Sequence, residues 1–248
     1  GNNHIIYRTY KETRQMKALT QLFDNTSSTF TYLLVDEKTK EGVMIDPVDT
    51  HLNDYLNIIN NNNIKLKYVL ETHAHADHIT SAGNLCKSTG AIAATPIHCN
   101  ISPADIQLEN NQVIEFGYKQ VIKALHTPGH TEGSMSFFWN AHLFTGDTLL
   151  INGCGRTDFQ GGDTESLYRS ITQILFGFPE ATIVCPGHDY HGNMFSTIGY
   201  EKNNNARIAN RSLKDFTDIM NRLKLPKPSM IDKAIPANLK LGLVSHAA

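Results

Sequence analysis

The chain has 248 residues, of which 40% are hydrophobic and 19% are charged, and its formal net charge is −2. This length is enough for a sizeable core, and the near-neutral charge excludes the electrostatic footprint that nucleic acids and anionic membranes require. No apolar run approaches the roughly 18 residues of a membrane-spanning helix, so neither nucleic acid nor a membrane is an expected partner.

Short β-rich segments bounded by turn residues run through most of the chain and predict many short strands. The predicted strands are residues 4–10, 30–36, 42–46, 66–70, 91–95, 112–116, 120–125, 134–139, 142–145 and 182–185. A charged turn that ends at Gly42 separates 30–36 from 42–46, so these two segments are expected to form a hairpin.

Apolar residues at helical spacing predict helices between and after these strands. One helix is expected from Ile79 to Ser88, with a stop at Gly90. The predicted caps of three further helices are Asp49 or Thr50, then Thr164, then Ser212 with Asp215 in a capping-box pattern. Many short strands, followed by strands that alternate with helices, indicate two packed sheets with helices outside, in one domain spanning residues 1–248.

Histidine and aspartate residues follow four of the predicted strands. The first set is packed into the stretch 72–78, and the others lie in the stretches 127–131, 145–148 and 185–190. The residues are His73, His75, Asp77 and His78, then His130, then Asp147, then His188. Repetition at four strand ends is what a shared metal site at one sheet edge requires, and imidazole and carboxylate suit Zn or Fe.

This ordered set resembles the metallo-β-lactamase superfamily, whose α/β fold is an αββα sandwich of two mixed sheets flanked by helices. The resemblance implies two adjacent metal positions that share one bridging carboxylate. These would be His73, His75 and His130 for one metal, Asp77, His78 and His188 for the other, and Asp147 between them. It does not imply the substrate, because the superfamily includes both hydrolases and oxygenases.

Later segments narrow the resemblance. Residues 157–160 and much of the tail after His188 resemble the persulfide dioxygenases, whereas residues 153–156 also occur in glyoxalase II, the hydroxyacylglutathione hydrolase. Only 60 residues follow His188, which is short for the helical domain with which glyoxalase II grips glutathione. The persulfide dioxygenase family is therefore the favoured one.

That resemblance implies one Fe(II) per chain, held by His73, His130 and Asp147, and a reaction that converts glutathione persulfide, O2 and water to sulfite and glutathione. Two histidines and one carboxylate leave positions on iron open for O2 and substrate. Zinc could not serve in this reaction, because it has no redox chemistry.

The remaining polar residues of the set, His75, Asp77, His78 and His188, are expected to orient the ligands and bound water by hydrogen bonds. The alternative is that they hold a second metal. In a hydrolase, Asp77 could act as a base on metal-bound water.

Three residues are candidates for binding glutathione. Arg156 can pair with a carboxylate in a bidentate fork, and its alternative is a structural ion pair with Asp158 or Asp163. By resemblance, Tyr190 and Arg207 match positions that contact glutathione, and their alternatives are a packed aromatic ring and a solvated helix charge. The other histidines, His51, His98, His126, His142 and His191, are expected to be ordinary satisfied or exposed residues.

Two other functions stay open from the sequence. One is a glyoxalase II-like hydrolase of glutathione thioesters with two metals and a bridging hydroxide. The other is a metal-binding protein whose site serves structure or regulation, which is disfavoured because structural sites close with four ligands.

The start of the chain and its cysteines bear on the compartment. Gly1–His4 shows no charged-then-apolar signal pattern, which predicts a cytoplasmic protein, although a targeting peptide removed before Gly1 would leave no trace. The four cysteines form no Cys-x-x-Cys pair, which predicts reduced thiols, with a redox role for Cys154 as the alternative. The oligomeric state stays open, and a homodimer is one option.

Overall fold

The computed structural model describes the backbone of residues 6–9 and residues 17–243 in full. The described chain divides into two compact units. The first unit comprises the described residues up to Leu108, then Ile114–Val121, then the described residues from Lys227 onward. The second unit comprises Glu109–Val113 and Ile122–Pro226. The single domain expected for residues 1–248 stays a prediction.

The regular elements are short, as the sequence predicts. The strands are β1 (Ile6–Thr9), β2 (Leu19–Asp24), β3 (Thr29–Val35), β4 (Glu41–Ile45), β5 (Lys65–Leu70), β6 (Ile92–Pro96), β7 (Ile106–Leu108), β8 (Val113–Phe116), β9 (Gln120–His126), β10 (Met135–Trp139), β11 (His142–Gly146), β12 (Ile183–Pro186) and β13 (Ser196–Thr197). The α-helices are α1 (Leu52–Asn61), α2 (Ala82–Thr89), α3 (Thr164–Arg169), α4 (Ile198–Asn204), α5 (Leu213–Arg222) and α6 (Ile231–Asn238).

The first sheet has seven strands in the order β1-β2-β3-β4-β5-β6-β7. Each adjacent pair from β1 to β4 is antiparallel, and each adjacent pair from β4 to β7 is parallel. Because β4 and β5 run side by side in one direction, Asp46 after β4 and Thr72 after β5 emerge at the same edge. Its core contains Leu22, Leu33, Met44, Tyr55, Val69 and Leu85.

The second sheet has six strands in the order β13-β12-β11-β10-β9-β8. Strands β9 and β11 are both antiparallel to β10, and β12 is parallel to β11. The carboxyl ends of β9, β11 and β12 therefore share one edge, which places His130, Asp147 and His188 in neighbouring loops. The second unit has its own apolar core, which includes Leu143, Leu167, Ile171, Val184, Ile198 and Phe216.

Two predicted helix caps are wrong. Asp49 and Thr50 lie in a short 3-10 turn, Asp49–His51, that runs straight into α1, and neither end of this turn has a side-chain cap bond. The cap of α3 is Asp163, whose carboxylate accepts from Ser166 N, rather than Thr164. The cap predicted at Ser212 is confirmed, because its hydroxyl accepts from Asp215 N.

The predicted strands and helices otherwise lie within a few residues of the observed ones. Of the opening strand expected at residues 4–10, residues 6–9 are described as β1 and the others lie outside the described residues. The sequence analysis missed β2, β7, β13, α4 and α6. In the part of the chain that the structure describes, no helix has the length and apolar character needed to cross a membrane.

Candidate metal centre

His73 follows β5 and is held by the residue just before it. Its Nδ1 lies 2.9 Å from Thr72 Oγ1, and that hydroxyl donates its own hydrogen to Asp46 Oδ2 at 2.7 Å. Since the hydroxyl hydrogen is already used, His73 must donate from Nδ1 to Thr72. A neutral His73 ring therefore presents Nε2 as its acceptor, which is the form that binds metals.

His75 is gripped by two buried carboxylates. Its Nε2 lies 3.0 Å from Asp46 Oδ1 and 3.0 Å from Glu71 Oε2. Burial disfavours the charged ring, but the charge of Asp46 and then that of Glu71 hold the pKa of His75 well above its ordinary value. Burial raises the pKa of Glu71 to about 7, although the bond to His75 opposes the rise.

His75, Asp77 and His78 form a compact group whose ligand-type atoms all lie within 4.8 Å of one another. His78 Nδ1 is 2.9 Å from Asp77 Oδ2. The other ring nitrogens, His75 Nδ1 and His78 Nε2, are buried and have no hydrogen-bond partner among the described residues. Buried polar atoms normally have a partner, so this pair of nitrogens fits a site that completes itself with a bound ion or water.

Asn238, at the end of α6, fixes the backbone of the His-rich turn. Its side-chain amide donates to His75 O and to His78 O, each at 2.8 Å, and its carbonyl accepts from Thr80 N at 2.9 Å. The residue is only 2% exposed. The amide therefore satisfies three backbone groups that the irregular turn would otherwise leave buried and unpaired.

His130 is oriented in the same way as His73. Its Nδ1 donates to the carbonyl of Arg156 at 2.7 Å, so a neutral ring presents Nε2. That Nε2 lies 3.4 Å from Asp147 Oδ2. The separation suits two ligands of one ion, because each metal–ligand bond is about 2.0–2.2 Å long.

His188 holds the other oxygen of the same carboxylate. Its Nδ1 lies 2.5 Å from Asp147 Oδ1, and the ring is buried. Asp147 Oδ1 is thus held by His188, whereas Oδ2 faces His130 Nε2. The expected role of His188, to orient a ligand through a hydrogen bond, stays a prediction.

The loop after Asp147 packs directly on Asp147 and His130. Gly155 N donates to Asp147 O at 2.7 Å. A Cβ at Gly155 would lie 2.3 Å from Asp147 O and 2.7 Å from His130 Nδ1, closer than real Cβ contacts allow. Glycine is therefore required here by close approach to two candidate ligands.

Arg156 forms the ion pair with Asp158 that the sequence analysis gave as its alternative. The two groups form a bidentate pair at 2.6 and 2.7 Å. The same guanidinium donates to the carbonyls of Pro226 and Leu225 at 2.6 and 3.3 Å. Arg156 therefore ties the segment near residue 226 to the loop that orients His130.

The other two candidate substrate residues, Tyr190 and Arg207, lie in loops of the second unit. Tyr190 is 66% exposed, and its ring stacks on His188 with centroids 6.1 Å apart and planes at 3°. Arg207 is half-buried and donates to Cys154 O at 2.8 Å. An exposed aromatic ring and a guanidinium in these loops suit an anionic ligand with an apolar portion.

The four cysteines are free, as predicted. Burial raises the pKa of the Cys86 thiol and of the Cys99 thiol to about 12. Burial also raises the pKa of the Cys154 thiol, although the nearby charge of Arg207 favours a lower pKa. A thiol with a raised pKa is a weak nucleophile, so the buried surroundings of Cys154 give no support to a redox role for it.

Comparison with known proteins decides the family. The model of the metallo-beta-lactamase superfamily matches residues 25–98 and 101–188. Human persulfide dioxygenase ETHE1, named as mitochondrial, is 40% identical over 232 residues, or 93% of this chain and 91% of the relative. The crystal structure of ETHE1 from Myxococcus xanthus matches with a TM-score of 0.88 and 41% identity, covering 96% of this chain and 100% of that one. This chain belongs to the persulfide dioxygenase family.

Membership of the persulfide dioxygenase family confirms the predicted α/β fold class, the αββα metallo-β-lactamase sandwich, and an enzyme of that type. The hydrolase expected as the alternative is represented by a more distant relative. The cytoplasmic hydroxyacylglutathione hydrolase of Arabidopsis thaliana is 32% identical over 186 residues, or 71% of this chain and 69% of the relative.

Sequence reasoning missed several residues that orient the centre. Asp46, Glu71 and Thr72 hold the rings of His73 and His75, and they lie at strand ends, where the sequence analysis looked only for ligands. Their position just after two parallel strands was the available signal. Asn238 lies in the tail that resembles the persulfide dioxygenases, but its role could not be predicted, because its partner His75 is 163 positions away.

Proposed function

We propose that this chain is an iron-dependent dioxygenase that converts glutathione persulfide, O2 and water to sulfite and glutathione. The observation that carries the proposal is the 40% identity to a persulfide dioxygenase over 93% of the chain. The hydrolase relative matches less of the chain at lower identity.

The proposed metal is one Fe(II) per chain, with His73, His130 and Asp147 as its ligands. Two observations support this set. His73 and His130 both donate from Nδ1 to a protein oxygen, which leaves Nε2 to face the metal. His188 binds Asp147 Oδ1, and Asp147 Oδ2 lies 3.4 Å from His130 Nε2. Held by two histidines and one carboxylate, iron would supply electron transfer between the persulfide sulfur and O2.

The chain's own groups prepare this centre for the reaction. His188 holds the Asp147 carboxylate in one orientation, which lowers the cost of reorganising it when a metal or substrate binds. His75, Asp77 and His78 contribute polar atoms in the first unit, where they are proposed to orient bound water and to exchange protons.

Arg207 and Tyr190 are proposed to grip the glutathione portion of the substrate. A guanidinium pairs with a carboxylate through two parallel hydrogen bonds, and the exposed ring of Tyr190 offers an apolar surface. Arg156 is proposed to act less directly, because Asp158 and two backbone carbonyls already occupy its donors. It shapes the loop that carries Gly155.

A second function has a specific observation in its favour. His75 Nδ1 and His78 Nε2 are buried and unpartnered among the described residues, as ligands of a second metal would be. With two metals the centre would suit a hydrolase of glutathione thioesters. A His75 ring held in its charged form must first lose its Nδ1 hydrogen before that atom can bind a metal.

The two functions separate in one pair of assays. Anaerobically purified protein is reconstituted with Fe(II) and given glutathione persulfide in an oxygen electrode, with sulfite measured as product. The same protein is given a glutathione thioester. Oxygen uptake with matching sulfite is the expected result. Thioester hydrolysis without oxygen uptake would establish the hydrolase instead.

The compartment and the assembly state stay predictions. The sequence predicts a cytoplasmic protein, whereas the human relative is named as mitochondrial. A homodimer stays one option for the assembly.

A further inference from the structure

A continuous series of side-chain hydrogen bonds runs from the His-rich turn to the surface of the first unit. It begins at His78 Nδ1, which lies 3.3 Å from Thr29 Oγ1. Thr29 Oγ1 lies 2.7 Å from Ser27 Oγ, and Ser27 Oγ donates to Asp24 Oδ2 at 2.5 Å. We call Thr29, Ser27, Asp24, His51 and Asp54 the relay.

The outer half of the relay is a histidine between two carboxylates. His51 Nε2 is 2.9 Å from Asp24 Oδ1, and His51 Nδ1 is 2.9 Å from Asp54 Oδ2. His51 and Asp24 are 1% and 3% exposed, whereas the Asp54 side chain is 42% exposed. The series therefore starts beside buried polar groups and ends in water.

The hydroxyl groups can point in one direction along this series. Ser27 has one hydrogen, and it is donated to Asp24, so Ser27 must accept from Thr29. Thr29 Oγ1 also lies 3.2 Å from Asp77 Oδ2, to which it can donate instead. When its hydrogen points to the nearer Ser27, Thr29 can accept from His78 Nδ1. Each group in this orientation accepts from the side of His78 and donates toward Asp24, which is the arrangement that a proton hop along hydroxyls requires.

The cluster around His51 also holds a proton that can move. Both ring nitrogens lie at hydrogen-bond distance from carboxylate oxygens, and each contact needs one hydrogen. A neutral imidazole supplies only one. The second contact therefore requires a further proton, on the ring or on a carboxyl oxygen, and that proton can pass between Asp24 and Asp54 through the ring.

We propose that the relay carries protons from Asp77 and His78 to solvent during turnover. The inference rests on the proposed function, in which a persulfide RSSH, O2 and water give RSH, sulfite and two protons. A proton entering Thr29 displaces the Thr29 hydrogen to Ser27, and the Ser27 hydrogen passes to Asp24. It then crosses His51 to Asp54 and water. Only hydrogen nuclei change partners, and O2 remains the oxidant.

Ser27 is the position at which to cut the relay. Ser27→Ala removes the hydroxyl that joins the Thr29 and Asp24 side chains in the relay, with little change in volume, and Ser27→Thr keeps a hydroxyl there. Tyr55→Phe is the matched control. It removes a buried hydroxyl that bonds Thr31 Oγ1 and Val48 N, outside the relay. The Tyr55 and His51 ring centroids are 6.2 Å apart.

The measurement is oxygen uptake with glutathione persulfide, at saturation, in H2O and in D2O. Ser27→Ala should lower kcat by about tenfold or more, as loss of a proton-transfer partner does, with an unchanged KM and a larger solvent isotope effect. Ser27→Thr and Tyr55→Phe should match the parent. A Ser27→Ala enzyme with the parent's kcat and isotope effect would overturn the relay, as would an equal loss in Tyr55→Phe.

A second readout needs no metal and no turnover. Metal-free protein with 15N-labelled histidine should show at least one downfield ring hydrogen from His51, and two where the further proton lies on the ring, assigned by their loss in His51→Asn. These hydrogens should persist in Ser27→Ala, because that change interrupts the relay at Ser27 and leaves Asp24, His51 and Asp54 in place. Their absence in the parent would refute the relay by itself. A parent that shows them yet consumes no O2 would instead refute the dioxygenase function.

Discussion

At the scale of single residues, tautomers and close contacts prepare the centre before any ion binds. Nδ1 of His73 and Nδ1 of His130 each donate to a protein oxygen, so both rings present Nε2. Neutral imidazole is the ligand form of histidine. Because these bonds are made by Thr72 and by the backbone of Arg156, the ring orientations depend on residues that bind no metal themselves.

Gly155 provides the sharpest test of this packing. Gly155→Ala would force a Cβ into Asp147 O and the His130 ring, and misplacing reacting groups by about 1 Å can cost roughly a hundredfold in rate. We therefore expect kcat/KM to fall by about that factor, with weaker iron binding. The matched control is Gly153→Ala in the same loop, because the nearest atom to its Cβ is 4.0 Å away. Equal losses in both variants would refute the close-contact explanation.

Arg207 belongs to the same scale. Arg207→Ala should raise KM for glutathione persulfide and leave iron content unchanged, because contacts to the remote end of a substrate provide binding that ground and transition states share. Loss of a charged hydrogen bond costs roughly 1.5–3 kcal/mol, or about tenfold or more in kcat/KM. Arg207→Lys should recover only part of the lost kcat/KM, because a Lys cannot form the two parallel hydrogen bonds of a guanidinium.

A small persulfide without carboxylates is the control substrate for Arg207. Its steady-state oxygen uptake should be nearly the same in Arg207→Ala and in the parent. An equal loss on both substrates would mean that Arg207 acts through its bond to Cys154 O and supports the fold of the loop instead.

At the scale of elements, helix α6 holds the backbone of the His-rich turn through the side chain of Asn238. Asn238→Ala would leave His75 O, His78 O and Thr80 N without their observed partner. Each buried unsatisfied group costs about 1–3 kcal/mol, so we expect the free energy of unfolding to fall by at least about 2 kcal/mol and iron affinity to weaken. Urea denaturation and iron titration measure the two effects.

The control for Asn238 is Asn62→Ala, which removes an exposed amide that bonds a single backbone carbonyl, Ile58 O. It should change the free energy of unfolding far less. If Asn238→Ala unfolds at the same urea concentration as the parent and binds iron equally well, α6 does not fix the turn.

The elements also show what sequence patterns can predict. Strand β5, the turn after it and helix α2 follow from residues that are neighbours in the chain, and Gly90 ends the helix at φ 80° as expected. The choice between Asp163 and Thr164 as cap could not be read locally, because both residue types cap helices. It is decided by a backbone bond from Asp163 N to Gly129 O.

Long-range pairings account for most of what the sequence analysis missed at the site. The seven polar residues could be found because each follows a strand. Their partners could not, since Asn238 and Thr29 lie 163 and 49 positions from His75 and His78. His51 was expected to be an ordinary histidine, and it is satisfied, but only the folded chain reveals that both its partners are carboxylates.

At the scale of the whole molecule, the proposed dioxygenase function depends on one redox metal. The proposed ligands come from loops after β5, β9 and β11, and the remaining polar residues orient them or move protons. A second metal would require His75 and His78 as ligands, and would convert the proposed dioxygenase into a hydrolase-type centre. The stoichiometry and identity of the metal in active protein therefore decide between the two functions.

The most direct measurement is metal analysis of anaerobically purified, active protein, run beside the oxygen electrode on the parent, His130→Ala and His188→Ala. With a single iron centre, we expect about one iron per chain in the parent, little iron and no oxygen uptake in His130→Ala, and substantial iron with reduced uptake in His188→Ala, whose ring binds Asp147. Active parent protein with two zinc ions and no iron, or a His188→Ala variant as empty as His130→Ala, would contradict it.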